Sequence, residues 1–519
     1  MGSPALRFAL ALAAALTVVP VPAAAQLTPL GAEFRVNRFT GTIKGFPKVA
    51  VAKGGSFQVV WRQGTGPFNA FVRSFNSSGA PLANEQQVNA ASPDGGNPTI
   101  ASLSAAGAFV VSYGGNNNTT VNAALFDSTG APGLEFRVDT YTSDGAQKVT
   151  SVAADSSGNF VVVWKGGASG APTTRNILGQ RFNSAGTPLG GNFTIYSAAS
   201  VDDLVNFPVV SVSEAGSFVV AWTYTSVGSS SNYDVFARRY ASSGSPLGAA
   251  FQVNTYTTGN QYWASAATDS SGNFVVVWSL RSASGPIRAR RYTSSGTAGP
   301  EFQVSVTDNT DFDTGPGLVF DPGGRFLVVW QVFGFADVVG RAFDASASPI
   351  GSEFRVNTYT TYSQARASAG VDASGNFVVS WGSQANVGIS TPEIYAQRYC
   401  PQLLSVSIAA AGGTNVCPGQ TGTTLTVTDL GLGSFSHQWG YRTVSGGAIT
   451  SIGGQTGTTY VLNTGNTLPA GTAYIVCTSV PSSCGSAVVS NEITVFKGDV
   501  TAPAVSAPAS ATTTQTLCQ

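Results

Sequence analysis

The sequence predicts an all-β protein in which a seven-bladed β-propeller, closed by its own N-terminal strand, is followed by a smaller β-sandwich. Three observations lead to this prediction. An apolar segment that ends in Trp, or once in Tyr, occurs seven times at intervals of 51 to 58 residues. The chain is 43% apolar and contains 61 Gly and 26 Pro residues, as expected for many short strands joined by turns. All five Cys residues lie in the last quarter, after the repeat has stopped.

Residues 1–25 have the features of a secretory signal peptide. Arg7 precedes the apolar run Phe8–Val19, and three small residues, Ala23-Ala24-Ala25, follow two prolines. The run is too short to span a membrane well, and no later segment approaches the ~18 apolar residues that a span needs. We therefore expect a secreted protein, extracellular or at the cell surface, with no transmembrane segment in its mature chain.

The most regular feature of the repeat is the apolar segment that begins with Phe. Because successive residues are apolar, each copy predicts a strand buried on both faces between two neighbouring blades. The repeated Trp residues are therefore expected in the core between blades and not in a stacking platform for a ligand. The copies are Phe57–Trp61, Phe109–Tyr113, Phe160–Trp164, Phe218–Trp222, Phe274–Trp278, Phe326–Trp330 and Phe377–Trp381.

Three further strands accompany each copy, and tight turns of the type Asp-x-x-Gly join several of them. Seven units of four antiparallel strands predict the propeller. The strands before the Trp segment are Pro47–Ala52, Pro98–Leu103, Lys148–Ala153, Pro208–Val212, Trp263–Ala267, Pro316–Phe320 and Arg366–Val371. The strands after it end at Phe75, Phe126, Phe182, Tyr240, Tyr292, Phe343 and Tyr399. Segments similar to Glu-Phe-x-Val-Asn are Glu33–Asn37, Glu85–Asn89, Glu135–Asp139, Asn192–Tyr196, Ala250–Asn254, Glu301–Ser305 and Glu353–Asn357.

The two ends of the repeat complement each other. The chain begins its repeat with Glu33–Asn37, which no other strand of a unit precedes, and the seventh unit ends at Tyr399 without such a segment. The N-terminal strand can therefore complete blade seven and remove an exposed sheet edge. We expect Phe34 and Val36 to pack beside Ile394–Tyr399, within a propeller that spans residues 26–400.

Composition excludes several classes of function. The 26 basic and 26 acidic residues give no net charge, and no basic cluster of the kind that binds nucleic acid is present. One His and one Met argue against multi-histidine metal sites and most histidine-based acid–base chemistry. No Gly-x-Ser-x-Gly motif and no phosphate-binding loop occurs. We expect a monomeric protein that is not an enzyme.

Residues 401–497 carry a different pattern of short strands. Their motifs are Val416–Gln420 (VCPGQ), Gln438-Trp439, Ile452–Thr456, Tyr474–Cys477, Cys484–Ser486 and Ser490-Asn491. In these motifs the segment resembles bacterial immunoglobulin-like domains, which implies a β-sandwich. Residues 498–519 are either a linker or the truncated start of a further such domain, in which Cys518 would be unpaired.

The five Cys residues of an exported protein are expected to form disulfides, with one left over. The spacing between Tyr474 and Cys477 departs from antibody-type domains, so their usual core disulfide is not expected. From the strand order we predict two bridges, Cys400–Cys484 and Cys417–Cys477.

The region 26–400 resembles secreted bacterial repeat proteins built from G-N-F-V-V-V-W, A-x-R-F and E-F-x-V-N segments. That resemblance implies the propeller but no catalytic residue. We predict a non-catalytic binding or adhesion protein that presents a loop face to an extracellular glycan or protein. A propeller-type glycan-processing enzyme (a sialidase-like hydrolase or a lyase) and a structural spacer of a surface array remain alternatives.

The predicted binding face is the end of the propeller that carries the long, irregular connections, because tight turns occupy the other end. Aromatic rings there offer flat surfaces to sugars or peptides. The candidate ligand-binding residues are Tyr141, Tyr256, Tyr262, Tyr359 and Tyr362. The densest acidic cluster, Asp308, Asp311 and Asp313, is the candidate site for a cation such as Ca²⁺, and no other cofactor is expected.

Overall fold

The protein is described here by a computed structural model. It describes residues 27–65, 68–89, 96–115, 120–140, 149–166, 176–198, 204–225, 233–281, 285–306, 315–332, 337–384, 392–401, 403–412, 414–416, 421–463, 468–481 and 487–497. Every regular element in these ranges is a β-strand. Among them, no helix is long and apolar enough to cross a membrane.

Seven antiparallel sheets follow one another along the chain and form the blades of a propeller, as predicted. Two short strands, β1 (Leu27–Pro29) and β2 (Phe34–Arg35), precede the first blade. Blade 1 contains β3 (Ile43–Val51), β4 (Phe57–Gly64), β5 (Asn69–Phe75) and β6 (Gln86–Gln87). Blade 2 contains β7 (Thr99–Ser102), β8 (Phe109–Gly115), β9 (Thr120–Phe126) and β10 (Pro132–Arg137). Blade 3 contains β11 (Thr150–Ala154), β12 (Phe160–Gly166), β13 (Asn176–Phe182) and β14 (Phe193–Ser197).

The remaining blades follow the same order. Blade 4 contains β15 (Leu204–Val212), β16 (Phe218–Thr225), β17 (Asp234–Tyr240) and β18 (Phe251–Gln252). Blade 5 contains β19 (Asn260–Thr268), β20 (Phe274–Arg281), β21 (Ile287–Tyr292) and β22 (Ala298–Gln303). Blade 6 contains β23 (Gly317–Phe320), β24 (Phe326–Gln331), β25 (Val338–Phe343) and β26 (Pro349–Arg355). Blade 7 contains β27 (Gln364–Val371), β28 (Phe377–Ser383) and β29 (Glu393–Pro401). Within a blade the strands are called a, b, c and d in sequence order.

The predicted closure of the ring is confirmed. Both N-terminal strands pair with β29, and Phe34 lies opposite Ala396. The backbone N–H of Val36 donates to the carbonyl of Ile394 at 2.7 Å, and Val36 is buried with Ile394 and Ala396 in one hydrophobic cluster. The N-terminal strands therefore supply the outer strand of blade 7.

The repeated residues stabilise the blades, as the sequence predicts. The repeated Trp side chains of strand b are buried between blades. The Asn that follows strand d accepts a backbone hydrogen bond from the start of strand c, as Asn254 does from Val235 at 2.8 Å. Between blades, Arg341 donates to the carbonyl of Val304 at 2.8 Å, and Glu301 accepts from the backbone N–H of Thr255 at 2.7 Å.

The C-terminal residues form a β-sandwich. One sheet contains β30 (Leu403–Ala410), β32 (Thr421–Gly431) and β35 (Thr459–Asn463). The other contains β31 (Asn415–Val416), β33 (Phe435–Arg442), β34 (Thr450–Ser451), β36 (Gly471–Pro481), β37 (Val488–Val489) and β38 (Ile493–Lys497). Residues of both sheets, among them Ile408, Trp439 and Tyr460, share one hydrophobic core.

This sandwich contacts the tight-turn end of the propeller. Leu432 is fully buried in the hydrophobic cluster of blades 6 and 7. The backbone N–H of Gly433 donates to Oδ2 of Asp321, in the a–b turn of blade 6, at 2.7 Å. Arg325 of the same turn donates to the carbonyl of Gly433 and lies over the ring of Phe435. The a–b turns of blades 6 and 7 are therefore partly covered, at the end opposite the long connections.

The predicted disulfide between Cys417 and Cys477 needs correction. Cys477 is a free, fully buried thiol whose side chain packs in the sandwich core with Trp439 and Ile475. Its predicted partner Cys417 lies outside the described residues. Cys400 is buried in β29, and because Cys484 also lies outside the described residues, the Cys400–Cys484 bridge stays a prediction.

The Cys477 thiol is expected to be unreactive in the folded protein. Burial raises its pKa to about 11 from the ordinary 9.0, which lowers the thiolate fraction at pH 8 roughly a hundredfold. Iodoacetamide labelling followed by peptide mass spectrometry should therefore modify Cys477 in guanidinium chloride and leave it unmodified in buffer. Recovery of Cys477 in a disulfide-linked peptide from the unfolded, unreduced protein would restore the original prediction.

Candidate functional site

The innermost strands of all seven blades surround a central channel. Each blade contributes four consecutive residues from its strand a or from the residues directly before it, and the channel encloses about 260 Å³. The start of strand a follows the d–a connection, so this part of the channel opens at the end with the long connections. The lining segments are Phe46–Val49, Asn97–Ile100, Val149–Val152, Phe207–Val210, Trp263–Ala266, Gly315–Leu318 and Arg366–Ala369.

The backbone turns through a left-handed conformation at the same place in four blades. Phe46, Phe207, Trp263 and Arg366 have φ angles of 55°, 52°, 54° and 61°. Each lies where the pairing of strand a with strand b shifts register, as between Gly45 and Lys48. Such bulges redirect a side chain, and positive φ is costly for a bulky non-glycine residue. The fold thus places four large side chains at the channel mouth by means of strained backbone.

Aromatic rings form one side of the mouth, at blades 4 and 5. The ring centroids of Phe207 and Trp263 are 3.7 Å apart. Tyr262 meets Phe207 edge-on at 5.5 Å and Trp263 at 5.7 Å, and Tyr233 contacts Tyr262 at 5.0 Å. Trp263 and Tyr262 are only half-buried, so part of this aromatic cluster faces the solvent.

Arginine side chains form the other side of the mouth, at blades 1 and 7. The Arg62 and Arg366 guanidinium groups lie 4.2 and 3.8 Å from the ring centroid of Phe46. Arg62 also lies 4.5 Å from the ring centroid of Phe68 and donates to Oδ1 of Asn97 at 3.1 Å. Burial and the neighbouring positive charge of Arg366 both lower the pKa of Arg62. Two like charges are therefore held close together by contacts with aromatic rings.

Lys48 lies inside the channel, on strand a of blade 1. Its side chain is reached by water from the channel but is surrounded by protein on all sides. This desolvation lowers the pKa of the Lys48 ammonium group. Among the described lining residues, Lys48 and Arg366 carry charge and none is a carboxylate.

The predicted tyrosines fall into different environments. Tyr262 belongs to the aromatic side of the mouth. Tyr256 is exposed beside the outer edge of blade 5, where its ring lies 5.0 Å from the Arg288 guanidinium. The carbonyl of Tyr359 accepts from Asn357, which closes strand d of blade 6, and Tyr362 is exposed with a φ of 66°. These tyrosines do not form one cluster with Tyr262.

Tyr141 and the predicted cation cluster Asp308, Asp311 and Asp313 lie outside the described residues. Within the described ranges, no group of three His, Cys, Asp or Glu residues could hold a metal ion. His437 contacts Asp429 Oδ2 through Nε2 at 2.7 Å inside the C-terminal sandwich, far along the chain from the channel.

Sequence reasoning missed Phe46, Phe207, Trp263 and Arg366 as site residues and placed two of them at the start of ordinary strands. A signal was present, because these positions align in the repeat and two of them precede Pro47 and Pro208. A residue before proline avoids the right-handed helical region, and proline is unfavourable inside a paired strand. An aromatic residue before proline at the channel end of a repeat therefore indicates a bulge.

No protein-family model matches the chain, and no curated protein is significantly similar to it. Among solved structures, a protein of unknown function from Dyadobacter fermentans is 12% identical with a TM-score of 0.47, covering 72% of this chain and 99% of that one. An ulvan lyase of polysaccharide lyase family PL25, bound to a GlcA–Rha3S unit, is 11% identical with a TM-score of 0.44, covering 70% and 95%.

A fungal alcohol oxidase of the AA5 family, in complex with copper, is 15% identical with a TM-score of 0.44, covering 89% of this chain and 100% of that chain. The structures in this set thus include a lyase, an oxidase and a protein of unknown function. At these identities the similarity concerns the fold and assigns no activity to the chain. The chain is a seven-bladed β-propeller with an additional C-terminal β-sandwich.

Proposed function

We propose that this is a secreted, non-catalytic binding protein that holds an extracellular ligand at the channel mouth. The observation that carries the proposal is the left-handed backbone of Phe46, Phe207, Trp263 and Arg366. Each such residue costs on the order of 1 kcal/mol or more, and strain of this kind is concentrated at binding and catalytic sites. Its recurrence at one position of the repeat, around one channel, favours a role in binding.

Two further features support this placement of the site. The C-terminal sandwich contacts the tight-turn end of blades 6 and 7, at the end of the propeller opposite the mouth. The aromatic cluster offers flat, half-buried rings on which a sugar ring can stack. We therefore propose a glycan as the ligand, and a relationship to the secreted bacterial repeat proteins that the sequence resembles.

A glycan array tests the proposal, followed by titration of the hits with site variants. Trp263→Ala is expected to weaken binding about tenfold, or about 1.4 kcal/mol, because it removes the stacking surface. Tyr256→Ala is the matched control, since this exposed tyrosine lies at the edge of blade 5 and should bind as the wild type does. Melting curves verify that both variants fold.

Three results would contradict the proposal. An array without any hit would favour the spacer alternative. Chromatography that shows conversion of a bound glycan would favour a propeller-type hydrolase or lyase. Loss of affinity in Tyr256→Ala, with unchanged affinity in Trp263→Ala, would move the site to the blade edge.

A further inference from the structure

The described residues at the channel mouth carry positive charge, whereas the chain as a whole has no net charge. The full sequence has equal numbers of basic and acidic residues. Elsewhere in the propeller, several described basic residues pair with carboxylates, as Lys44 does with Glu393 and Arg288 with Glu301. Others donate to backbone carbonyls, as Arg341 does to Val304. At the mouth, Lys48, Arg62 and Arg366 lie around the same opening, and no described lining residue is acidic.

Lys48 is the clearest sign of a missing negative charge. Its side chain is exposed to the water of the channel, and the described residues give it no ion pair or hydrogen bond. A cleft lined by charge of one sign, with protein walls around it, attracts ions of the opposite sign. An anion that enters the channel would supply the partner, because it would make a direct ionic contact with the ammonium group.

The two arginines point to the same ligand chemistry. Arg62 and Arg366 share the ring of Phe46, so their like charges repel at close range. An anion beside both groups would remove this repulsion and gain charge-assisted hydrogen bonds. Across the mouth, Trp263 and Phe207 provide the apolar surface that a sugar ring needs.

The size of the channel limits how much of a ligand can enter. Its volume of about 260 Å³ is below the ~300–1,000 Å³ typical of pockets for small molecules. One sugar residue or a terminal group therefore fits, while the rest of an oligosaccharide lies outside on the long-connection face.

We infer that the ligand is an acidic saccharide, whose carboxylate or sulfate group is bound beside Lys48, Arg62 and Arg366 while its ring stacks on the aromatic cluster. This inference rests on the proposed function, since it names the ligand class of the same site.

Calorimetric titration of the secreted chain tests the inference with three named probes. Trigalacturonate carries only carboxylates, a κ-carrageenan tetrasaccharide carries only sulfates, and fully methyl-esterified trigalacturonate is neutral. We expect at least one of the acidic probes to bind, the neutral ester to bind at least tenfold more weakly, and affinity to fall as NaCl increases. The stronger acidic probe identifies the anion.

Single-residue variants show which side chains contribute to the affinity for the acidic probe. Lys48→Met is expected to weaken binding of the acidic probe at least tenfold without lowering the melting temperature, because Lys48 is exposed in the channel and pairs with no described residue. Lys53→Met is the control, since Lys53 is exposed and pairs with Glu214 on the tight-turn end. A purely structural role for Lys48 would instead lower the melting temperature and leave the affinity of the folded protein unchanged.

The outcomes separate the two proposals. If the neutral ester binds as tightly as trigalacturonate, with affinity that depends on Trp263 and not on Lys48, the inferred ligand class is wrong and the binding function stands. If none of the three probes and no glycan on the array binds, both are wrong.

Discussion

Deletion of residues 26–40 is expected to lower the free energy of unfolding by about 5 kcal/mol. The deletion removes the two strands that complete blade 7, including the fully buried Val36 and the nearly buried Leu27. Each buried apolar side chain of this kind contributes about 1.5–3 kcal/mol. The deletion also exposes the edge of β29, so we expect the variant to self-associate as well. Urea unfolding monitored by Trp fluorescence, with light scattering for size, measures both effects.

Point variants distinguish the loss of ring closure from a nonspecific effect of changing the N-terminal segment. Val36→Asp introduces a charge into the cluster between blades 1 and 7 and should reproduce most of the loss. Arg35→Gln alters the adjacent exposed residue and should be close to neutral. Equal stability of the deletion variant and the full chain would mean that the ring does not depend on its N-terminal strands.

Replacement of Glu393 by Gln is expected to cost about 3–5 kcal/mol, since it leaves the Lys44 charge buried without a counter-ion. Lys44 and Glu393 join blade 1 to blade 7 at 3.4 Å, and their side chains are 0% and 1% exposed. Asn37 donates to the same carboxylate from the closing segment. Thermal and urea unfolding of Glu393→Gln measure the effect.

A second ion pair provides the control. Lys53 and Glu214 are closer, at 2.6 Å, but their side chains are 52% and 51% exposed. Solvent screening reduces such a pair to about 1 kcal/mol or less, so Glu214→Gln should barely change stability. The double variant Lys44→Met, Glu393→Gln should recover much of the loss. Equal losses for the buried and the exposed pair would contradict this explanation.

The repeat made most of the fold predictable. The starts of the seven strands b were predicted to the residue, because runs such as Phe274–Trp278 are apolar on both faces and follow a turn, but each strand continues one to three residues past the predicted end. Closure of the ring followed from a missing strand at one end and an extra one at the other. Strand a was less accurate: the prediction begins at Pro47, whereas β3 begins at Ile43. The bulge at Phe46 allows pairing to continue past the proline, and a propensity argument does not detect it.

The site was only partly predictable, for a geometric reason. Tyr256 lies in the d–a connection that runs from the outer edge of blade 4 toward the channel, and Tyr262, six residues later, lies in strand a of blade 5. The position of a residue along this path sets its distance from the propeller axis. The residue type alone does not reveal that distance. Tyr262 therefore reaches the aromatic cluster, whereas Tyr256 contacts Arg288 at the blade edge.

The path of β29 has a mechanical consequence. This strand starts at the end of the propeller that bears the channel mouth, and it leads within two residues into β30 of the C-terminal sandwich. Tension between a bound ligand and a tethered sandwich would pull along β29, parallel to its neighbours. It is paired with β28 on one side and with β1 and β2 on the other. Such a load shears many hydrogen bonds at once instead of opening them one by one, and the N-terminal strands share the force on the side that would otherwise be free.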